Sequence, residues 1–316
     1  AVVKSSTSGT PTEGLSTVLF KRQPFTEEEI DTLCERAERL GYEVIYTPGC
    51  EANEPVGALI AAADHQAAID AYPLDISPAT DNRPFFFNLV RLGDLIDPEL
   101  SDSGVYRTSM EAIVVLFTVI GVSLLLAVLI ILLPLIVGSR RRGLARPSAP
   151  LLGYFSALGV AFMLVEIPTI QKLTVYLGRP VYSLAIVLFS LLLSSGIGSL
   201  LSSRWPDDKL GPRLKTGLAV LVAIILIHTL LSTTVLQATL KLPLAARLPT
   251  AVVLLAVLGV LMGIPFPVGI RLVGLHRPGT VPWLWGMNGV MSVLGSAMAT
   301  ALAIHVGFRL TLFASA

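Results

Sequence analysis

The feature that most limits what this chain can fold into is a set of six apolar runs, at 113–137, 151–170, 181–203, 216–236, 250–273 and 283–306. Each is about 20–25 residues long, enough for a helix to cross a ~30 Å hydrocarbon core. Within lipid every backbone N–H and C=O must be satisfied internally, so runs of this length are predicted to be helices. A seventh run begins near Leu310. Only 14% of the residues are charged, where a soluble protein carries about a quarter. The predicted fold class is an α-helical multi-pass membrane bundle over 113–316. It is preceded by an α/β fragment over 1–77, with a junction and connector over 78–112.

Charge separates the same two parts. Residues 1–107 hold 8 Lys and Arg against 18 Asp and Glu, whereas residues 108–316 hold 15 against 4. An acidic extramembrane part argues against a nucleic-acid partner, because phosphate contacts need clustered cations. In the apolar part the cations lie in the short loops, where they report topology. The loops on one face carry Arg140, Arg141, Arg142, Arg146, Arg204, Lys209, Arg213, Lys215, Arg271 and Arg277. The opposite face, shared with the extramembrane part, carries Lys172, Arg179, Lys241, Arg247 and Arg309. The richer face is predicted to be cytoplasmic.

The extramembrane part reads as strand, strand, helix, strand, helix. The strands are predicted at 1–4, 16–21 and 42–46. Thr26 and Glu29 have capping-box spacing, and Ile30, Leu33, Ala37 and Leu40 share one face of the helix that follows, which Gly41 stops. A second, alanine-rich helix is predicted over 55–71. Cys34 is predicted to be an inert core thiol, and with Cys50 it gives neither a disulfide framework nor metal spacing. The loop Ser5-Ser-Thr-Ser-Gly-Thr10 lacks the second glycine and the lysine of a phosphate loop. Asp64-His65 has no third polar partner near it in sequence and reads as a solvated pair.

Between the parts lies Pro78-Ala-Thr-Asp-Asn-Arg-Pro-Phe-Phe-Phe-Asn88. Asp81, Asn82 and Arg83 are suited to fix a turn, and Pro84 biases Arg83 away from helix. Phe85, Phe86 and Phe87 must bury against either a core or the membrane interface. The stretch reads as a hinge plate, or as a plain turn leading into a core strand.

Polar residues inside the spans are candidate functional groups. Glu166 is the acidic one, two residues before Pro168 and close to Gln171 and Lys172. It is either an interfacial carboxylate paired with Lys172 or Arg179, or a proton or cation site. His228 is predicted to be a hydrogen-bonded core residue. Asn288 is predicted to satisfy a carbonyl freed by Pro265 or Pro267. Small-residue rows at Ser194, Gly198 and Ser202, at Ser195, Ser199 and Ser203, and at Gly289, Ser292, Ser296, Ala299 and Ala303 mark close helix packing.

Several of these stretches together carry a resemblance. They are Ser16–Thr26 with its helix, the 78–88 stretch, Ala161-Phe-Met-Leu-Val-Glu166, Leu177-Gly-Arg-Pro-Val-Tyr-Ser183, Met262-Gly-Ile-Pro-Phe-Pro267 and Trp285-Gly-Met-Asn-Gly289. The chain resembles the C-terminal half of the membrane-bound, multi-pass spermidine synthase-like proteins, in which a class I S-adenosylmethionine (SAM)-dependent transferase domain is fused to membrane segments. The resemblance implies that residues 1–77 end a Rossmann-like domain. It also implies SAM or decarboxylated SAM as a cofactor bound upstream of this chain, and aminopropyl or methyl transfer by residues that are not in it. Implied partners are membrane lipid and other membrane subunits, in the bacterial inner membrane. A SAM-using domain belongs in the cytoplasm, whereas the loop charges place it outside, so the side stays open. A non-catalytic scaffold and a transporter working through Glu166 are the alternatives.

Overall fold

The computed structural model describes residues 2–6, 14–48, 59–60, 62–85, 88–91, 104–129, 133–142 and 147–316. Cys50, Phe86, Phe87, Arg146 and residues 7–10 of the Ser/Thr loop lie outside the described residues. The chain divides into two units: one takes in residues 1–78 and 86–113, the other 79–85 and 114–316.

In the first unit, β1 (Val2–Ser6), β2 (Gly14–Val18) and β3 (Tyr42–Tyr46) form a sheet in the order β2-β1-β3. Both pairings are antiparallel, with Lys4 opposite Ser16 and Ser5 opposite Tyr42. The parallel pairs that define a Rossmann-like sheet are therefore absent among the described residues. Because β2 ends at Val18, Leu19 and Phe20 fall outside the strand, and Phe20 is almost fully exposed.

Helix α1 (Glu27–Arg39) begins as its sequence dictates. Thr26 Oγ1 accepts from the Glu29 N–H at 3.3 Å, and Glu29 Oε2 accepts from the Thr26 N–H at 3.0 Å. Lys21 adds an ion pair to Glu29 at 2.6 Å. Ala37 is buried and Ile30 and Leu33 are half-buried, whereas Leu40 is exposed. Gly41 takes the left-handed φ of 69° that ends the helix. Cys34 is half-buried rather than in a core.

The predicted helix over 55–71 is not continuous. Helix α2 (His65–Ala71) starts afresh at Asp64, whose carboxylate accepts from the N–H groups of Gln66 and Ala67. Asp64 is thus a cap and not half of a dyad. His65 turns instead to the carbonyl of Leu59. Arg91 closes the other end of α2 by donating to the carbonyls of Tyr72 and Ile69.

The helices that follow are α3 (Gly104–Ala127), α4 (Leu133–Arg142), α5 (Ala149–Leu177), α6 (Pro180–Ser203), α7 (Leu210–Thr239), α8 (Leu244–Met262), α9 (Pro265–His276) and α10 (Val281–Phe313). With α8 and α9 counted as one bent span, five helices among the described residues are long and apolar enough to cross a membrane. The apolar part of α3, Ile113–Ala127, is shorter.

Short connections make neighbouring spans antiparallel. Between α5 and α6 the turn is two residues, Gly178 and Arg179. Pro180 starts the next helix, and the hydroxyls of Thr174 and Ser183 join across the turn.

Lipid offers no hydrophobic drive for helices to associate, so contact depends on close fit. The closest fit joins α6 to α8. A Cβ at Gly198 would lie 1.9 Å from the Val260 carbonyl oxygen, so only glycine allows this approach. Of the two predicted rows on α6, Ser194, Gly198 and Ser202 form the buried one. The main core lies between α5, α6, α7 and α8, built from Leu173, Tyr176, Val187, Leu191, Leu236 and Leu255.

The most extensive pairing joins α5 to α10. The small residues there are Gly159 on α5 and Ser292, Gly295, Ala299 and Ala303 on α10. A Cβ on Gly289 would meet open space and Ser296 is only half-buried, whereas Gly295 is fully buried against α5, so the predicted stripe is rotated.

Candidate functional site

The last helix is broken at Gly307, whose φ of 84° and ψ of 168° are not helical. In an unbroken helix the N–H groups of Phe308 and Arg309 would bond the carbonyls of Ile304 and His305. Here the turn at Asp81–Arg83 supplies the partners. The Phe308 N–H donates to the Asn82 carbonyl at 2.9 Å, and the Arg309 N–H donates to Asn82 Oδ1 at 2.8 Å. On the other side of the break, Arg83 Nε donates to the Ile304 carbonyl at 2.9 Å.

The turn is itself closed by paired backbone bonds between Thr80 and Arg83, at 3.2 and 2.9 Å. Phe85 sets its ring edge-on to that of Phe308, 5.7 Å between centroids. A side chain at 307 is doubly excluded, by the positive φ and by Asn82 Nδ2, which a Cβ would approach to 2.5 Å. Asp81, Asn82 and Arg83 therefore form the predicted turn, and Asn82 and Arg83 splice the broken helix.

Beside this splice lies a cavity of about 110 Å³ lined by Asp81, Asn82, Lys172, Tyr176, Thr233 and Gln237, with apolar walls from Val175, Leu236 and Leu240. Lys172 reaches it from α5 and donates to the hydroxyls of Ser232 and Thr233, at 2.7 and 2.8 Å. Gln237, one turn beyond Thr233 on α7, donates weakly to Asp81 Oδ2 at 3.4 Å. Asp81 and Lys172 face the same space, yet no ion pair within 4 Å joins them among the described residues. Beneath the cavity Tyr176 bonds the Thr239 hydroxyl at 2.9 Å. Arg247 donates to the Tyr176 carbonyl at 2.7 Å and lies over its ring.

The other predicted residues fall apart from this cavity. Glu166 is buried on α5 at 8% exposure. It stands seven positions after Gly159 and so on the same helix face, the one turned to α10. Neither expected cation reaches it: Lys172 is held by hydroxyls, and Arg179 stacks over the Tyr182 ring. No hydrogen bond or ion pair joins Glu166 to any described residue. Gln171 buries its Oε1 without a partner among the described residues. His228 is buried on the α7 face that carries Thr229 and Ser232, as expected, but without the expected hydrogen bond among the described residues.

Asn288 does not serve the break between α8 and α9. Its amide donates to the Phe155 carbonyl at 3.1 Å, and Tyr154 supplies the hydroxyl that bonds the Pro265 carbonyl at 2.9 Å. The residues that sequence reasoning did not single out are Gly307, Tyr154 and the α7 set Ser232, Thr233 and Gln237. Their signals were a glycine just past the end of one apolar run and, at the end of another, the adjacent Ser232 and Thr233 with Gln237 one turn on.

No family model, curated protein or solved structure matches the chain.

Proposed function

We propose that the chain is the membrane half of a spermidine synthase-like transferase of the bacterial inner membrane. In this reading α3 with α4 is the first of six spans and a seventh begins after Gly307. The sheet with α1 ends a Rossmann-like domain whose upstream residues bind SAM or decarboxylated SAM. That domain would hold the cofactor's sulfonium carbon in line with a nucleophile, with an acidic residue as base, so that proximity and proton transfer lower the barrier to aminopropyl or methyl transfer. The bundle tethers that domain to the membrane.

The observation that carries the reading is the splice. The 78–88 stretch, one of those on which the resemblance rests, is not a free linker, because Asn82 and Arg83 complete the backbone of the last helix. The turn is built into the membrane unit itself. The test is calorimetric titration of the purified native polypeptide with SAM and with decarboxylated SAM. Saturable binding of either supports the transferase reading. Binding of neither leaves a non-catalytic membrane scaffold.

One observation favours a second reading, a transporter: the buried, unpartnered carboxyl of Glu166. Ionisable groups inside a bundle commonly mark ion or proton paths. A substrate flux in proteoliposomes that Glu166→Gln abolishes, with folding intact, would establish it. An unchanged flux would remove it.

A further inference from the structure

The cavity beside the splice has a chemistry that neither reading uses. Lys172 spends two of its three ammonium donors on Ser232 and Thr233 and keeps one. Asp81 has about four acceptor positions, of which a long bond from Gln237 occupies one. Opposite charges on flexible side chains close together where nothing intervenes. Here they line one cavity and stay apart.

A ligand that satisfies both must carry an anion and a cation a few ångströms apart. Size narrows the class further. A cavity of about 110 Å³ is several times the space one water needs and suits the polar end of a small ligand. Val175, Leu236 and Leu240 add an apolar wall suited to a short aliphatic side chain. Arg309 adds its positive charge to the field at Lys172, which favours the anionic end there.

We propose that the cavity between the Asp81–Asn82 turn, α5 and α7 is a binding site for a small zwitterion of the α-amino acid class. Its carboxylate sits on Lys172 and the Thr233 hydroxyl, and its ammonium on Asp81. Asp81 is exposed, and a carboxylate is costly in hydrocarbon, so the ligand enters from water and not from lipid. The site is independent of the transferase reading and stands or falls by itself.

The experiment is thermal unfolding of the purified chain in detergent with glycine, L-alanine or L-serine at millimolar concentration, against acetate and methylammonium. At least one amino acid should raise the midpoint in a saturable way, and neither half-ligand should match it. Asp81→Asn, which still accepts from Gln237, and Lys172→Gln, which removes the charge, should each weaken the response at least tenfold. If Lys172→Gln fails to fold, Asp81→Asn alone carries the test, since its side chain is exposed and outside the splice. Acetate acting as well as alanine would make this an anion site and overturn the proposal. So would a wild-type protein that responds to none of the three amino acids, or an Asp81→Asn variant that responds unchanged.

Discussion

Asn82 fills the gap that Gly307 opens, its backbone carbonyl taking the Phe308 N–H and its side chain the Arg309 N–H. The two residues are complementary in a strict sense. Glycine is needed for the bend and for the room that Asn82 Nδ2 occupies, and the asparagine side chain is needed for the Arg309 N–H that the bend releases. Gly307→Ala should cost roughly 2–3 kcal/mol, from the positive φ and the close contact together. Asn82→Ala should cost about 1 kcal/mol for the lost acceptor. The double variant should cost clearly less than the sum, because Asn82→Ala removes the atom the new methyl strikes. Thermal unfolding of the four proteins in detergent measures this, and strict additivity would show that the two positions are not coupled.

The contact of α6 with α8 makes a prediction by contrast. Gly198→Leu must push the Val260 backbone away and should destabilise by more than about 3 kcal/mol. Gly196→Leu, two residues earlier, meets open space and should stay within about 0.5 kcal/mol of wild type. Equal effects in a denaturation series would mean the two helices do not meet on the Gly198 face.

Glu166 offers a test of its isolation. A buried carboxyl with no partner burdens the fold, so Glu166→Gln should stabilise by on the order of 1 kcal/mol. Had Lys172 or Arg179 been its partner, the same change would weaken the protein. The sign of the shift in unfolding midpoint decides between the two arrangements.

Helix α1 should loosen in acid. The Glu29 carboxylate is held below its ordinary range, first by its hydrogen bond from Lys21 and then by that from the Thr26 N–H. A carboxylate with a depressed folded-state pKa stabilises above the unfolded value and loses that contribution as pH falls through the folded one. Protection of the amides at the start of α1, taken relative to the intrinsic exchange rate at each pH, should therefore be greatest near pH 6 and fall as pH drops below the usual glutamate range. Glu29→Gln should abolish that dependence while Glu28→Gln keeps it.

What could be read from the sequence was whatever chemistry is local. Thr26 and Glu29 lie three residues apart, so their reciprocal cap follows from spacing alone. The spans followed from apolar length, although α5 runs on to Leu177, beyond the predicted end at 170. Pairing Glu166 with Lys172 failed for a geometric reason: six positions along is about 240° round the helix, so the two point to different neighbours. The Asn288 prediction failed because depth in a span does not say which helix lies alongside. Nothing near Asn82 announces Phe308 and Arg309, since the partners are 227 positions apart in the case of Arg309.

That separation bears on how the protein is made. A chain leaves the ribosome from its N-terminus at about 5–20 residues per second, so the turn at Asp81–Arg83 exists for many seconds before the residues it completes have been synthesised. Until then the side-chain acceptor of Asn82 lacks the Arg309 N–H that it holds in the folded protein. The joint therefore closes late, after the intervening spans are in place. A bundle that has lost or misthreaded a span presents no break in register with the turn, and it is left with an open seam that quality-control proteases can find.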